Sequence, residues 1–200
     1  VLEGDLFGPV VIDDGADVTI DGATITSGFP PFTLSSPVLL TTSSLRIARS
    51  SIEARNLSGG PQSCIDVTTS GSIAVDPTTT LTPANGAASI SGPPSATFAE
   101  IVTQRARASG STLDVELQGR TGAAFGTILS FPVPGLPTPF GDLWVDPFGH
   151  LVVQTGVLAA RQANASIPLP GLPSGFFVVT QSVVLDAELT LSNAAPAVFP

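Results

Sequence analysis

Through the first eighty-odd residues, aliphatic positions alternate with Thr, Asp, Arg and Ser, and Gly, Pro, Asp or Ser stands at each corner. Alternation at period two marks half-buried strands, and those corner residues mark turns. The pattern recurs: Val18-Thr19-Ile20-Asp21-Gly22, Leu45-Arg46-Ile47-Ala48-Arg49 and Ile73-Ala74-Val75-Asp76-Pro77 are spaced by 27 and 28 residues. Three aliphatic columns follow, Val18/Leu45/Ile73, Ile20/Ile47/Val75 and, after a turn, Ile25/Ile52/Leu81. A short apolar strand precedes each unit at Val10-Val11-Ile12, Val38-Leu39-Leu40 and Cys64-Ile65-Asp66-Val67. Short cornered strands at one period predict a right-handed parallel β-helix of about three coils over residues 1–85, like residues stacking from coil to coil. An antiparallel meander is the alternative.

A Pro/Gly/Ser stretch, 86–96, reads as a linker. Beyond it, Phe98 to Arg107 has a capping-box spacing at Thr97 and Glu100, yet Ser109-Gly110 turns into the alternating run Thr112 to Leu117. A hairpin accounts for both halves and is the favoured reading. Within residues 97–200, Phe131-Pro132-Val133-Pro134-Gly135-Leu136-Pro137 recurs 36 residues later as Ile167-Pro168-Leu169-Pro170-Gly171-Leu172-Pro173. Each copy reads as a stiff loop joining two strands. Seven or eight short strands without a convincing helix predict an antiparallel β-sandwich, so the expected fold class is all-β.

The run Pro139 to Pro147, the Leu-Pro-rich loop Leu169 to Pro173, the strand Val179 to Asp186 and the ending Leu189 to Ala194 together resemble a C-terminal β-sandwich module of secreted proteins from environmental bacteria. In many of those it follows a β-helix or other repeat region. The resemblance covers about residues 95–200 and implies an exported protein with its natural C-terminus near Pro200. It brings no catalytic residue with it.

Composition narrows the function classes. The chain has 200 residues, a net charge of −9, seven Arg and no Lys. Non-specific nucleic-acid binding rests on cations neutralising phosphates and is disfavoured here. The absence of Lys excludes a phosphate-loop lysine, a Schiff base and a lysine isopeptide crosslink. Hydrophobic residues at 42% argue against disorder. No stretch approaches the ~18 apolar residues of a membrane helix, so no membrane insertion is expected. The lack of Met makes residue 1 no initiator, and the Thr/Ser/Gly-rich acidic composition reads as exported, at the surface of a bacterium or outside it.

Candidate chemistry is sparse. The acidic corner Asp13, Asp14, Asp17 and Asp21 offers oxygen ligands for a metal, but lacks the carboxylate order of a calcium loop and reads first as a solvated turn. Polysaccharide lyases use β-helices, and their chemistry needs a base near a cation. Arg46, Arg49 and Arg55 show no accompanying paired carboxylates in the sequence and read as surface residues. His150, the lone histidine, reads as a turn residue, and Cys64, the lone cysteine, as a small buried one. Trp144 is the one candidate for stacking a carbohydrate ring, with core packing the first reading. Asn56 and Asn164 stand in Asn-x-Ser contexts that matter only in a glycosylating host. Leu136 and Leu172 sit at the tips of the Pro-Gly-Leu-Pro loops, either as apolar contact points or folded back on the core. No cofactor is called for.

A β-helix has open ends that native proteins cover. Val1 to Pro9 has no pattern for a capping helix and reads as a partial coil, which places Val1, Leu2, Leu6 and Phe7 at an interface with another copy. The expectation is a non-enzymatic exported structural protein forming an end-to-end homopolymer, as a filament or surface layer. A carbohydrate-binding or adhesive module, contacting surface polysaccharide, is the runner-up, and a polysaccharide-active enzyme the third reading.

Overall fold

The computed structural model describes residues 2–7, 9–27, 36–56, 58–68, 71–92 and 95–200. All its regular elements are strands, and among the described residues no helix is long and apolar enough to cross a membrane. The chain divides into two compact units, Val1–Ile101 and Val102–Pro200.

Unit 1 holds β1 (Leu2–Phe7), β2 (Val10–Ile12), β3 (Asp17–Thr26), β4 (Val38–Leu40), β5 (Ser44–Ala48), β6 (Ser51–Glu53), β7 (Ile65–Val67), β8 (Ser72–Val75), β9 (Thr80–Thr82), β10 (Ile90–Ser91) and β11 (Ser95–Phe98). Every pairing among them is parallel. A four-stranded sheet runs β10-β7-β4-β2, and a seven-stranded sheet runs β11-β8-β5-β3-β6-β9 with β1 on β3. The chain visits the two sheets in turn, returning with a short strand to the smaller sheet before each passage through the larger.

The sequence columns are the register of these sheets. Val18 pairs with Leu45 and Leu45 with Ile73; Ile20 pairs with Ile47 and Ile47 with Val75; Ile25 pairs with Ile52 and Ile52 with Leu81. In the smaller sheet Val38 lies between Val10 and Ile65, and Leu40 between Ile12 and Val67. Ile20, Ile25, Ile47, Ile52, Val38 and Leu40 are fully buried and build one core with Cys64, Ile65 and Ile73. Burial of each such side chain stabilises by roughly 1.5–3 kcal/mol, and stacking of like shapes lets every rung fill the same interior width.

Residues 86–96, read as a linker, contribute β10 and the first half of β11 to unit 1, paired with β7 and β8. Gly92 shows why the composition misleads. Its φ is +97°, and a Cβ there would lie 2.0 Å from the Val67 carbonyl oxygen, so the glycine permits a close approach of two rungs.

Unit 2 holds β12 (Thr103–Ser109), β13 (Thr112–Gln118), β14 (Ala124–Thr138), β15 (Gly141–Val157), β16 (Gln162–Pro168), β17 (Phe177–Leu185), β18 (Leu189–Leu191) and β19 (Ala195–Val198). The hairpin expected across Ser109-Gly110 is present as β12–β13. One antiparallel sheet is β12-β13-β16; the other is β15-β14-β17-β18, with β19 also on β17. Leu113 and Val115 of the first sheet pack with Leu129 and Val178 of the second, and Leu117 packs with Phe125 and Val184.

Polar side chains stand between these two apolar clusters along the strands. β17 turns Val178, Thr180, Ser182 and Val184 to one side, and β14 turns Phe125, Thr127 and Leu129. The Thr127 and Ser182 hydroxyls share a 2.8 Å hydrogen bond. Gln104 donates from Nε2 to Thr180 Oγ1 at 2.6 Å and accepts from the Ser192 hydroxyl at 3.1 Å, while Ser192 Oγ accepts the Ser182 N–H. This buried network joins the two sheets.

Candidate functional site

The four aspartates of the first corner do not converge. Asp13 and Asp14 form a tight turn in which Asp14 N–H donates to Asp13 Oδ1 at 2.8 Å, with Asp14 at φ 60°. Asp17 accepts from Arg46 Nη2 at 3.0 Å on the surface. Asp21 is wholly buried and accepts from Arg49 Nε at 2.8 Å and Nη2 at 2.5 Å. No group of three or more metal-ligating side chains occurs among the described residues. Each repeat arginine holds a single carboxylate, Arg55 through a two-pronged contact with Glu53; Arg46 and Arg55 lie at the surface, whereas the surface reading of Arg49 is corrected, since it is mostly buried against Asp21.

Arg49 ties three successive rungs at one corner. Its backbone N–H donates to Thr78 Oγ1 at 3.1 Å, Thr78 donates to Asp76 Oδ1 at 2.7 Å, and Asp76 Oδ2 accepts the Ile101 N–H at 3.0 Å. Arg49 itself has φ 48°, a left-handed conformation uncommon for a side-chain-bearing residue. The corner holds successive strands together: the Asp21 carboxylate is engaged with the Arg49 guanidinium, and that of Asp76 with Thr78 and the Ile101 N–H.

Cys64 is buried, as read from sequence, and its thiol donates to the Ile52 carbonyl at 3.3 Å. Burial pushes its pKa up to about 11, so at neutral pH it is a thiol and a poor nucleophile. The alternative of an outward Cys64 bridging subunits is set aside. His150 stands in β15 and not in a turn. Asn56 caps its own turn, accepting Ser58 N–H at 3.0 Å, and Asn164 lies in β16.

The largest departure from the sequence reading is the β14–β15 ribbon. The first Pro-Gly-Leu-Pro segment is strand, with Leu136 opposite Leu143, and Leu136 is exposed. Pro132 to Leu136 passes as an irregular stretch of the register, the kind of place where a strand tolerates proline. Leu172, in the second segment, folds back with Leu169 and Phe176 onto the core. Core packing for Trp144 is also corrected: its side chain lies over Gly135, where a Cβ would meet the ring at 2.9 Å, yet the residue is 43% exposed. Gln181 anchors this part of the ribbon, accepting Trp144 N–H at 2.9 Å and donating to the carbonyls of Asp142 and Ser192. Phe131, Phe140, Phe148, Leu151, Val152 and Val157 are exposed along the same two strands and the turn between them.

Of the residues assigned to an end interface, Leu2, Leu6 and Phe7 lie on β1, whose strand pairs in parallel with β3, and Val1 lies outside the described residues. Leu6 packs against the core of unit 1, and Phe7 is exposed. β1 occupies the edge of β3 opposite to β5 and β6, so it is the outermost rung of the larger sheet on that side, as β2 is of the smaller. On the other side the outermost strands are β9, β10 and β11. No family model matches this chain, and no curated protein matches it.

Proposed function

We propose that the protein is a non-enzymatic, exported structural protein whose first unit is a right-handed parallel β-helix of about three coils, joined to a β-sandwich, and that copies assemble end to end into an extracellular filament or surface layer. The handedness follows the strong rule for parallel crossovers. The observation that carries the reading is the pair of terminal edges, β1 and β2 on one side and β9, β10 and β11 on the other, which pair with no further strand among the described residues. In a parallel stack these two edges are complementary in strand direction and in their ~4.8 Å spacing, so one copy continues another. A head-to-tail contact of that kind does not close and generates a filament.

Charge supports the same polarity. β1 carries Glu3 and Asp5, whereas β9, β10 and β11 carry no charged residue. Head-to-head contact would bring like charges together, and head-to-tail contact avoids it. Negative-stain microscopy and light scattering of the purified chain test the proposal. Fibres that shorten in Val11→Lys are expected, since Val11 is exposed on β2; monodisperse monomers at all concentrations and salts would remove it.

The exposure of Trp144 favours a second reading, a carbohydrate-binding or adhesive module that contacts surface polysaccharide by ring stacking. Pull-down on insoluble polysaccharides compares the chain with Trp144→Ala. Binding that survives the substitution counts against stacking.

A further inference from the structure

We infer that the outer edge of β15, between His150 and Val157, pairs antiparallel with the same segment of a second copy. This contact lies in unit 2 and does not depend on the end-to-end reading of unit 1. β15 closes one side of the larger sheet of unit 2, and among the described residues it pairs with β14 alone. A free strand edge presents a row of backbone donors and acceptors, and native proteins blunt such edges with charge, proline, shortness or cover.

The other edges of unit 2 show those devices. β12 carries Arg105 and Arg107, β18 is three residues long, and β19 is four and includes Pro196. β16 ends in Pro168 and has a carbonyl, that of Asn164, taken at 3.3 Å by the Gln154 amide reaching over from β15. β15 is seventeen residues long, and no Asp, Glu, Lys or Arg occurs from Pro147 to Ala160. Leu151, Val152 and Val157 are 60–63% exposed beside that edge, and Phe148 is 97% exposed at its start.

The occupant follows from charge and symmetry. Each chain has a net charge of −9, so two copies repel except where charge is missing, and this strip is such a place. An antiparallel strand pair is its own complement under a two-fold axis, so the segment needs no other sequence to match it. Val152, Thr155 and Val157 share the outer face, opposite Ile128, Gly126 and Ala124, and would meet the same three residues of the second copy in reverse order. The register skips Val153, which packs inward on the core. Such a bulge shortens the usable ladder, so the dimer is weak and concentration-dependent.

Sedimentation velocity with peptide-resolved hydrogen exchange, over a concentration series at fixed salt, tests this. The expected result is a monomer–dimer equilibrium with slower exchange at 150–157 as concentration rises. Val152→Lys with Val157→Lys weakens it about tenfold or more, although the added cations lower the net charge of the chain. Val152→Thr keeps strand propensity without charge and is expected to retain most of the association, and unchanged Trp144 fluorescence reports an intact unit 2. Concentration-dependent protection confined to β1, β2, β10 and β11 would support the end contact and overturn this one. A constant monomer mass to about 1 mM, with 150–157 open throughout, overturns a second copy as the occupant and leaves the edge to a different chain.

Discussion

Arg49→Ala removes the guanidinium that holds a fully buried carboxylate, Asp21, at 2.8 and 2.5 Å. Breaking a buried ion pair from one side destabilises by about 3–5 kcal/mol, because the remaining charge keeps its desolvation penalty without its partner. For a unit of about a hundred residues each kcal/mol moves the midpoint by roughly 4–8 °C, so unit 1 should melt roughly 12 to 40 °C lower. The lone tryptophan belongs to unit 2, so peptide-resolved hydrogen exchange and far-ultraviolet dichroism are the assays, with Trp144 fluorescence as the internal reference. Arg46→Ala is the control, since its partner Asp17 is surface-exposed; an exposed pair contributes about 0–1 kcal/mol. Asp21→Asn combined with Arg49→Ala should recover part of the loss by neutralising the buried acid. If Arg49→Ala shifts unit 1 no more than Arg46→Ala does, the corner is not holding the rungs and the reasoning fails.

Gly92→Ala should destabilise unit 1 by more than ~1 kcal/mol, through both the positive φ and the 2.0 Å approach to Val67; a melting curve that matches the parent would contradict it. Cys64 should resist iodoacetamide at pH 8 until denaturant is added, and rapid native alkylation would show the thiol accessible. Its folded pKa of about 11 lies above the ordinary value of 9.0, so the unfolded chain releases the proton first. Stability from this group is therefore full below pH 9 and lost as pH rises through about 11, on the order of 2 kcal/mol, readable as the difference in alkaline unfolding between the parent and Cys64→Ala. Gln104→Leu removes one buried partner each from Thr180 Oγ1, which keeps the Ala195 carbonyl, and Ser192 Oγ, which keeps the Asn193 carbonyl and the Ser182 N–H, and should cost about 1 kcal/mol in unit 2; an unchanged urea midpoint would mean that the network is replaceable.

The parallel strands of unit 1 were legible because their inward positions repeat at a fixed interval, so pattern and register are one fact: Ile20, Ile47 and Val75 are neighbours both in the repeat and in the sheet. The same repeat held an unused signal. Asp17 and Arg46, and Asp21 and Arg49, stand 29 and 28 residues apart, one period, which is where adjacent rungs bring side chains together. Unit 2 was less legible for two reasons. Alternation assigns polar residues outward, yet Thr127, Thr180 and Ser182 point inward because the Thr127 and Ser182 hydroxyls satisfy each other and Gln104 satisfies Thr180. Proline density reads as loop, yet the ribbon absorbs Pro132 and Pro134 where its register is irregular. Trp144 was misplaced for a related cause, since the glycine beneath it, not the core, gives its ring a seat.

Charge in this chain sorts strand edges more than it builds the fold. Aliphatic stacking makes the core of unit 1, and apolar clusters joined by a hydrogen-bonded polar network make that of unit 2, while the Arg46, Arg55 and Arg120 carboxylate contacts are exposed enough to contribute little. At the edges the same few charges decide what can approach. In the proposed assembly, acidic β1 would meet the uncharged far strands of another copy rather than its own like, cationic β12 would resist pairing, and the stretch of β15 from Pro147 to Val157, without Asp, Glu, Lys or Arg, would not. The two proposed contacts therefore predict different charge sensitivities: reversing Glu3 or Asp5 should act on end-to-end association, whereas placing a charge between His150 and Val157 should act on pairing at β15.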